Sequence, residues 1–191
     1  MTLGLIPFAP EHFAVLAGWF ATEAELVSWG GPFLEHPLRR DQMQAMIDEG
    51  AGTPPGRLCW MGVHADRPVG HVQLAFDWRN GSARLARVAI APDARGQGLA
   101  VPMVRQVVDR AFAHHEVERL ELNVYAWNRA AIRTYRRLGF VTEGVRRSST
   151  RVGSERWDTA IMAVLRGEWR SPGPDTSVAK PANVQPVAQG S

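Results

Sequence analysis

The stretch Val88-Ala89-Ile90-Ala91-Pro92-Asp93-Ala94-Arg95-Gly96-Gln97-Gly98-Leu99-Ala100 narrows what this chain can fold into more than any other. An apolar strand stops at a proline, crosses a short glycine-bearing loop and enters a helix, which is the form of a phosphate cradle. Gly96 and Gly98 lack a Cβ, so backbone there can approach a ligand closely, while free N–H groups in the first helical turn and the helix dipole both favour an anion. Arg95 adds a cation. The spacing Arg-x-x-Gly-x-Ala is not the dinucleotide fingerprint, which needs a third glycine, nor the Walker pattern, which needs a lysine. Among the 22 basic residues the single lysine is Lys180, near the C-terminus, so a domain lysine for a Schiff base or a phosphate loop is excluded as well.

The rest of the chain frames this junction. Leu3 to Phe8 reads as a short opening strand, and Glu11 to Phe20, with Phe13, Leu16, Ala17 and Phe20 at helical spacing, as a helix. Trp29-Gly30-Gly31-Pro32-Phe33 breaks the helical pattern, and Arg39 to Glu49 resumes it with the stripe Leu38, Met43, Met46, Ile47. Arg57 to His64, Val69 to Trp78 and Ala83 to Ala91 follow, separated by Asp66-Arg67-Pro68 and Asn80-Gly81. They read as three antiparallel strands. Helix Val101 to Phe112, strand Leu120 to Val124 and helix Ala130 to Leu138, ended by Gly139, come next. Strands Val141 to Arg147 and Arg156 to Leu165 close the sheet as a hairpin around Val152-Gly153-Ser154. The expected class is α/β (α+β): a mixed, mostly antiparallel sheet of six to seven strands with helices on both faces. Residues 1–170 read as one domain without internal repeats, and 171–191, with Pro172, Pro174, Pro181 and Pro186 and no aromatic residue, as a flexible tail.

Arg95-Gly96-Gln97-Gly98-Leu99-Ala100 matches the signature [Gln/Arg]-x-x-Gly-x-[Gly/Ala] of the GNAT superfamily of acyl-CoA-dependent N-acyltransferases at this type of junction. Downstream, Asn128 to Phe140 is similar to that family's Asn-x-x-Ala-x-x-x-Tyr-x-x-x-Gly-Phe. Two motifs in the family's order make the resemblance specific over roughly Leu58 to Trp169, and Glu143-Gly144-Val145-Arg146, Asp158, Met162 and Glu168-Trp169 resemble members that modify ribosomal-protein N-termini and small amines.

The resemblance implies an N-acetyltransferase that moves an acetyl group from acetyl-CoA, its co-substrate, to a primary amine by direct attack in a ternary complex. Val88, Ala89 and Ile90 would pair their backbone with the pantetheine arm, and the amides from Arg95 or Gly96 through Gln97, Gly98, Leu99, Ala100 and Val101 would hold the pyrophosphate. Asn128 would contact the coenzyme through its amide. Tyr135 would sit near the sulfur and protonate the departing thiolate, a role that suits a phenol of pKa about 10. The resemblance implies an acceptor that is a small polyamine-like compound, an antibiotic, an amino acid or a protein N-terminus, and leaves room for a homodimer.

Each residue also has a plain structural role open to it: Tyr135 as a packed core residue beside Ile132 and Leu138, Asn128 as a helix N-cap, Arg95 as a surface charge. Where relatives carry an acid, this chain has Arg84 and Asn123. Glu121, Asp77, Glu23, Glu25 and Glu35 are the remaining candidates to polarise a water, and none is singled out. The two absent acids motivate a second reading, a CoA-binding sensor without turnover. Trp29, Phe33, Trp127 and Trp157 are candidates to line an acceptor groove. Arginines dispersed among acids argue against a nucleic-acid partner. One cysteine, Cys59, excludes an intrachain disulfide, and with scattered histidines no metal site is expected. The absence of a long apolar run, or of a charged segment followed by an apolar core at the N-terminus, points to a cytoplasmic protein without membrane contact.

Overall fold

The computed structural model describes residues 3–170; the proposed tail at 171–191 lies outside them. The elements run β1 (Gly4–Pro7), α1 (Phe13–Ala17), α2 (Glu23–Gly30), α3 (Arg40–Asp48), β2 (Arg57–His64), β3 (Arg67–Asp77), β4 (Ser82–Ile90), α4 (Ala100–Ala113), β5 (Arg119–Tyr125), α5 (Arg129–Arg137), β6 (Val141–Val152) and β7 (Glu155–Leu165). Seven strands form one sheet in the order β1-β2-β3-β4-β5-β7-β6. The β4–β5 pair is parallel and every other pairing in the sheet is antiparallel.

Leu74, Leu85, Leu122 and Met162 stand opposite one another across β3, β4, β5 and β7, and all four are buried. Side chains alternate across a strand, so this row defines one face. On that face α4 lies over β3 and β4, and Gly70 of β3, paired with Gly62 of β2, leaves room for Met103. The other face of β2 and β3 carries Cys59, His71 and Gln73. It is covered by α1–α3, with Met46 of α3 against Gln73 and Cys59, and Phe8 and Trp29 against His71.

The N-terminal third departs from its sequence reading. The helix expected over Glu11 to Phe20 shrinks to a 3₁₀ turn at Pro10–His12 followed by α1, which stops at Gly18. A second helix, α2, forms where none was expected. Thr22 accepts from the Glu25 N–H at 3.2 Å, and the Glu25 carboxylate accepts from the N–H groups of Ala21 and Thr22 at 2.8 and 3.2 Å. This reciprocal cap satisfies the helix start, and Leu26, Val27 and Trp29 bury the face that the cap nucleates. Gly31, with φ of 80°, ends it. The turn between β2 and β3 also moves, to Ala65-Asp66, whose φ values are 49° and 59°, while Arg67 and Pro68 already belong to β3.

Two irregularities shape the sheet centre. The β4–β5 ladder runs from Ser82 opposite Arg119 to Leu85 opposite Leu122 and stops there, although β4 continues to Ile90 and β5 to Tyr125. The strands splay apart. On the β3 side of β4, Gln73 faces Ala86 while His71 faces Ala89, so one extra residue bulges out of β4, and Arg87 adopts φ of 49°.

Candidate active site

The splay opens a cleft of about 1300 Å³ that passes between β4 and β5. Its first wall is the end of β4, where Val88, Ala89 and Ile90 line the cleft; Ala89 and Ile90 pair with β3, and none of the three pairs with β5. The bulge behind them is held by two donors. Trp29 Nε1 donates to the Arg87 carbonyl at 2.7 Å, and His71 Nδ1 lies 3.2 Å from the same oxygen, with Nε2 buried and without a partner among the described residues. Nδ1 as the protonated nitrogen gives that carbonyl two donors. Burial pushes the His71 pKa down to about 3, so the ring is neutral. The Arg87 guanidinium, pushed down to about 10 by its own burial and then by Arg57, donates to Gln73 at 3.1 Å. The strained backbone at Arg87 is thus fixed from the α1–α3 face of the sheet.

The second wall is the glycine loop and the start of α4. Gly96 and Gly98 take φ values of 79° and 76°, and a Cβ on either would point into open space. No side chain caps α4, and among the described residues the N–H groups from Gly96 to Leu99 have no acceptor within the protein. A 14-residue helix therefore meets the cleft with unpaired donors and the positive end of its dipole, and an anion fits that position. Arg95 Nε donates to the Ile90 carbonyl at 3.3 Å, tying the loop to the strand end. Gln97 turns its side chain back to the Asp93 carbonyl at 3.2 Å, so its contribution to the cradle is confined to its backbone.

The third wall is α5. Asn128 caps it, accepting from the Ala131 N–H at 3.1 Å through Oδ1; it also lines the cleft, and its Nδ2 makes no hydrogen bond to the described residues. Capping and ligand contact are thus compatible roles. Tyr135 packs against Phe140 and Ile132 reaches the same core, as its plain structural role requires. Tyr135 also lines the cleft, and its hydroxyl makes no hydrogen bond to the described residues. Burial raises its pKa well above that of a free phenol.

The last wall lies on the α2 side. Trp29 and Ser28 of α2 face Trp127 and Trp157 across the opening, and Glu25 and Glu155 are its two carboxylates. Phe33, expected in this groove, stands outside it, 92% exposed, because Gly31 turns the chain away after α2. Of the proposed acids, Glu121 bridges Arg84 at 2.6 Å and Arg119 at 3.4 Å within a surface ladder, and Asp77 caps the 3₁₀ turn at Trp78–Asn80. Neither of these, nor Glu23 or Glu35, borders the cleft. Glu155 went unnoticed in the sequence because nothing near it in the chain marks a strand that begins at the cleft.

The profile of the Acetyltransferase (GNAT) family matches residues 19–140, more than half of the chain. The chain belongs to this acetyltransferase family. It is 27% identical over 127 residues to the L-amino acid N-acetyltransferase AaaT of Escherichia coli (strain K12), a match covering 59% of this chain and 78% of that protein. It is 30% identical over 102 residues to the probable N-acetyltransferase YjcK of Bacillus subtilis (strain 168), covering 52% of this chain but only 56% of that relative. The spermidine N-acetyltransferase of Vibrio cholerae, solved with CoA and spermine, shares the fold with a TM-score of 0.74 at 19% identity, over 87% of this chain and 97% of that one.

Proposed function

We propose that the chain transfers an acetyl group from acetyl-CoA to a primary amine by direct attack within one ternary complex. One observation carries the reading. Among the described residues, the Tyr135 hydroxyl, protonated and unpartnered, shares a cleft with a strand edge left unpaired and a helix start with free N–H groups. These three parts match what a thioester of CoA requires: an edge for the pantetheine amides, donors for the pyrophosphate and an acid for the leaving sulfur.

The amine nitrogen attacks the thioester carbonyl carbon, a C–N bond forms and the C–S bond breaks. Tyr135 gives its proton to the departing sulfur and regains one from water, while the nitrogen releases a proton to solvent. An acceptor that arrives as an ammonium ion leaves as a neutral amide, so one proton is produced per turnover. The reading as a sensor without turnover rested on two missing acids. It predicts CoA binding with no amine-dependent release of thiol.

Relatives act on different amines, an amino acid in AaaT and spermidine in the Vibrio cholerae enzyme. The test is acetyl-CoA-dependent thiol release across an amine panel, run beside a thermal shift with CoA. Release that depends on amine, together with a CoA-induced rise in melting temperature, is expected; a rise without release for any amine overturns the transferase reading.

A further inference from the structure

The cleft is polarised across the sheet. On the α4–α5 side its charged residues are cations, Arg95 at the glycine loop and Arg133 and Arg137 one helical turn apart on α5. On the α2 side they are the carboxylates Glu25 and Glu155. The register places Glu155. Leu122 and Met162 point to the α4 face, so Tyr125 and Thr159 point to the other, and alternation along β7 carries Trp157 and Glu155 to that same side.

Both carboxylates are held in place. Glu25 spends one oxygen on the N–H groups of Ala21 and Thr22, and Glu155 spends one on Trp157 Nε1 at 2.8 Å, which leaves each a second oxygen. Beside them stands an aromatic corner. Tyr125 and Trp157 meet edge to face at 4.9 Å, Trp127 and Trp157 at 5.2 Å, and Trp127 is 50% exposed, presenting an indole surface that packing has not consumed. Carboxylate oxygens and indole faces attract the same class of group, an alkylammonium.

An ammonium cannot be the nucleophile, because its lone pair is protonated. The nitrogen that reacts belongs at the splay, within reach of Tyr135, whose helix lies on the opposite face. Groups that favour the charged form on the α2 side suit a part of the acceptor that does not react. We propose that the acceptor is a small aliphatic amine with a second, protonated amino group, which Glu25, Glu155 and the Trp127–Trp157 corner hold while the first amine attacks. This rests on the acetyl-transfer reading and specifies its substrate class. The same wall repels an acceptor with a carboxylate at that distance.

The experiment compares kcat/KM for acetyl-CoA-dependent thiol release with unbranched diaminoalkanes, monoamines of equal chain length and the matching ω-amino acids. At one or more chain lengths the diamine is expected to exceed the monoamine at least tenfold, with the ω-amino acid weakest. Glu155→Gln, and separately Glu25→Gln, whose amide oxygen can still accept from the Ala21 and Thr22 N–H groups, should collapse the diamine-to-monoamine ratio toward one. A merely structural role would lower both substrates together and leave the ratio intact, which overturns the proposal. Equal rates for diamines and monoamines, or a preference for the ω-amino acid, overturn it while leaving acetyl transfer standing. Silence with every amine removes both readings.

Discussion

The two sides of the cleft are made of different material. On the α4–α5 side, binding groups are mostly backbone: N–H groups of a glycine loop and a helix start, plus the free edge of β4. On the α2 side they are side chains, Glu25, Ser28, Trp127, Glu155 and Trp157, gathered from segments far apart in the chain. Backbone can present a row of N–H groups only if the residues themselves permit the conformation. Gly96 and Gly98, with φ near 80°, leave a local trace in sequence. A wall of side chains needs no special local conformation and leaves none.

The sharpest break of that contrast is Gly98→Val. A β-branched residue at φ of 76° is strained, and its side chain points into the open space where an anion would lie. CoA affinity is expected to fall at least about a hundredfold, a loss combining the strain with a blocked anion site. No protein atom lies within 4 Å of the new Cβ, so the fold should persist, which circular dichroism would check. Normal CoA binding by this variant would displace the pyrophosphate from the loop.

Tyr135→Phe comes next, and it separates chemistry from binding. Turnover is expected to drop about a hundredfold, the lower range for loss of a general acid, with CoA affinity changed no more than a few fold. Because burial holds the phenol above its ordinary range, its ionisation should not limit the rate anywhere between neutrality and pH 10. A rate that falls off near pH 8 in the wild-type chain but not in the variant would contradict that assignment.

Asn128→Ser probes the boundary between backbone and side-chain recognition. Serine caps a helix about as well as asparagine, so the melting temperature should hold, but the Nδ2 donor is gone. The KM for acetyl-CoA should rise a few fold. An unchanged KM would reduce Asn128 to a cap.

The clamp on β4 gives a smaller effect. Trp29→Phe removes one of the two donors to the Arg87 carbonyl while keeping a ring against Phe20 and His71. A loss of about 1–2 kcal/mol in unfolding free energy is expected, together with a modestly raised KM for acetyl-CoA as the bulge loosens. His71 adds a pH signature. Its folded pKa, about 3, lies below the value of 6.5 for a free imidazole, so the unfolded chain binds the extra proton between them. Stability conferred by keeping it neutral is fully present above pH 6.5 and is lost as pH falls, by at most about 1.4 kcal/mol per pH unit. Melting curves between pH 6.5 and 5, above the range of most carboxylates, should show the decline in the wild-type chain and a shallower one in His71→Phe.

These contrasts mark how far the sequence could be read. The central strands, α4, α5 and the final hairpin follow from alternation, glycine stops and turn residues, and the structure places them within a few residues of those signals. The belonging of Gly96, Gly98, Asn128 and Tyr135 to one cleft was legible only through the family resemblance that their two motifs carry. What was not legible is α2. Its start depends on a reciprocal cap between Thr22 and Glu25, and its stripe of Leu26, Val27 and Trp29 is too short to stand out before Gly30-Gly31. Missing α2 hid the face that brings Glu25 and Ser28 to the cleft. The partners of Arg84 were equally hidden, since a parallel pairing between β4 and β5 is a long-range choice that no local pattern encodes.

Glu121 tests the smallest difference of all, between an acid that alternation made a candidate base and the same acid seen in place. It lies on the strand face with Asn123 and Tyr125, as period-two alternation requires, yet two guanidiniums claim its oxygens before the cleft begins. Arg84 at 2.6 Å is half exposed, so the pair contributes less than about 1 kcal/mol once solvent screening is allowed for. Glu121→Gln should therefore leave turnover unchanged and shift the melting temperature only slightly. A tenfold drop in kcat with unaltered KM would instead place a proton-accepting role on the ladder, and would mean that the acidic side of the cleft extends further down β5 than Glu25 and Glu155 alone describe.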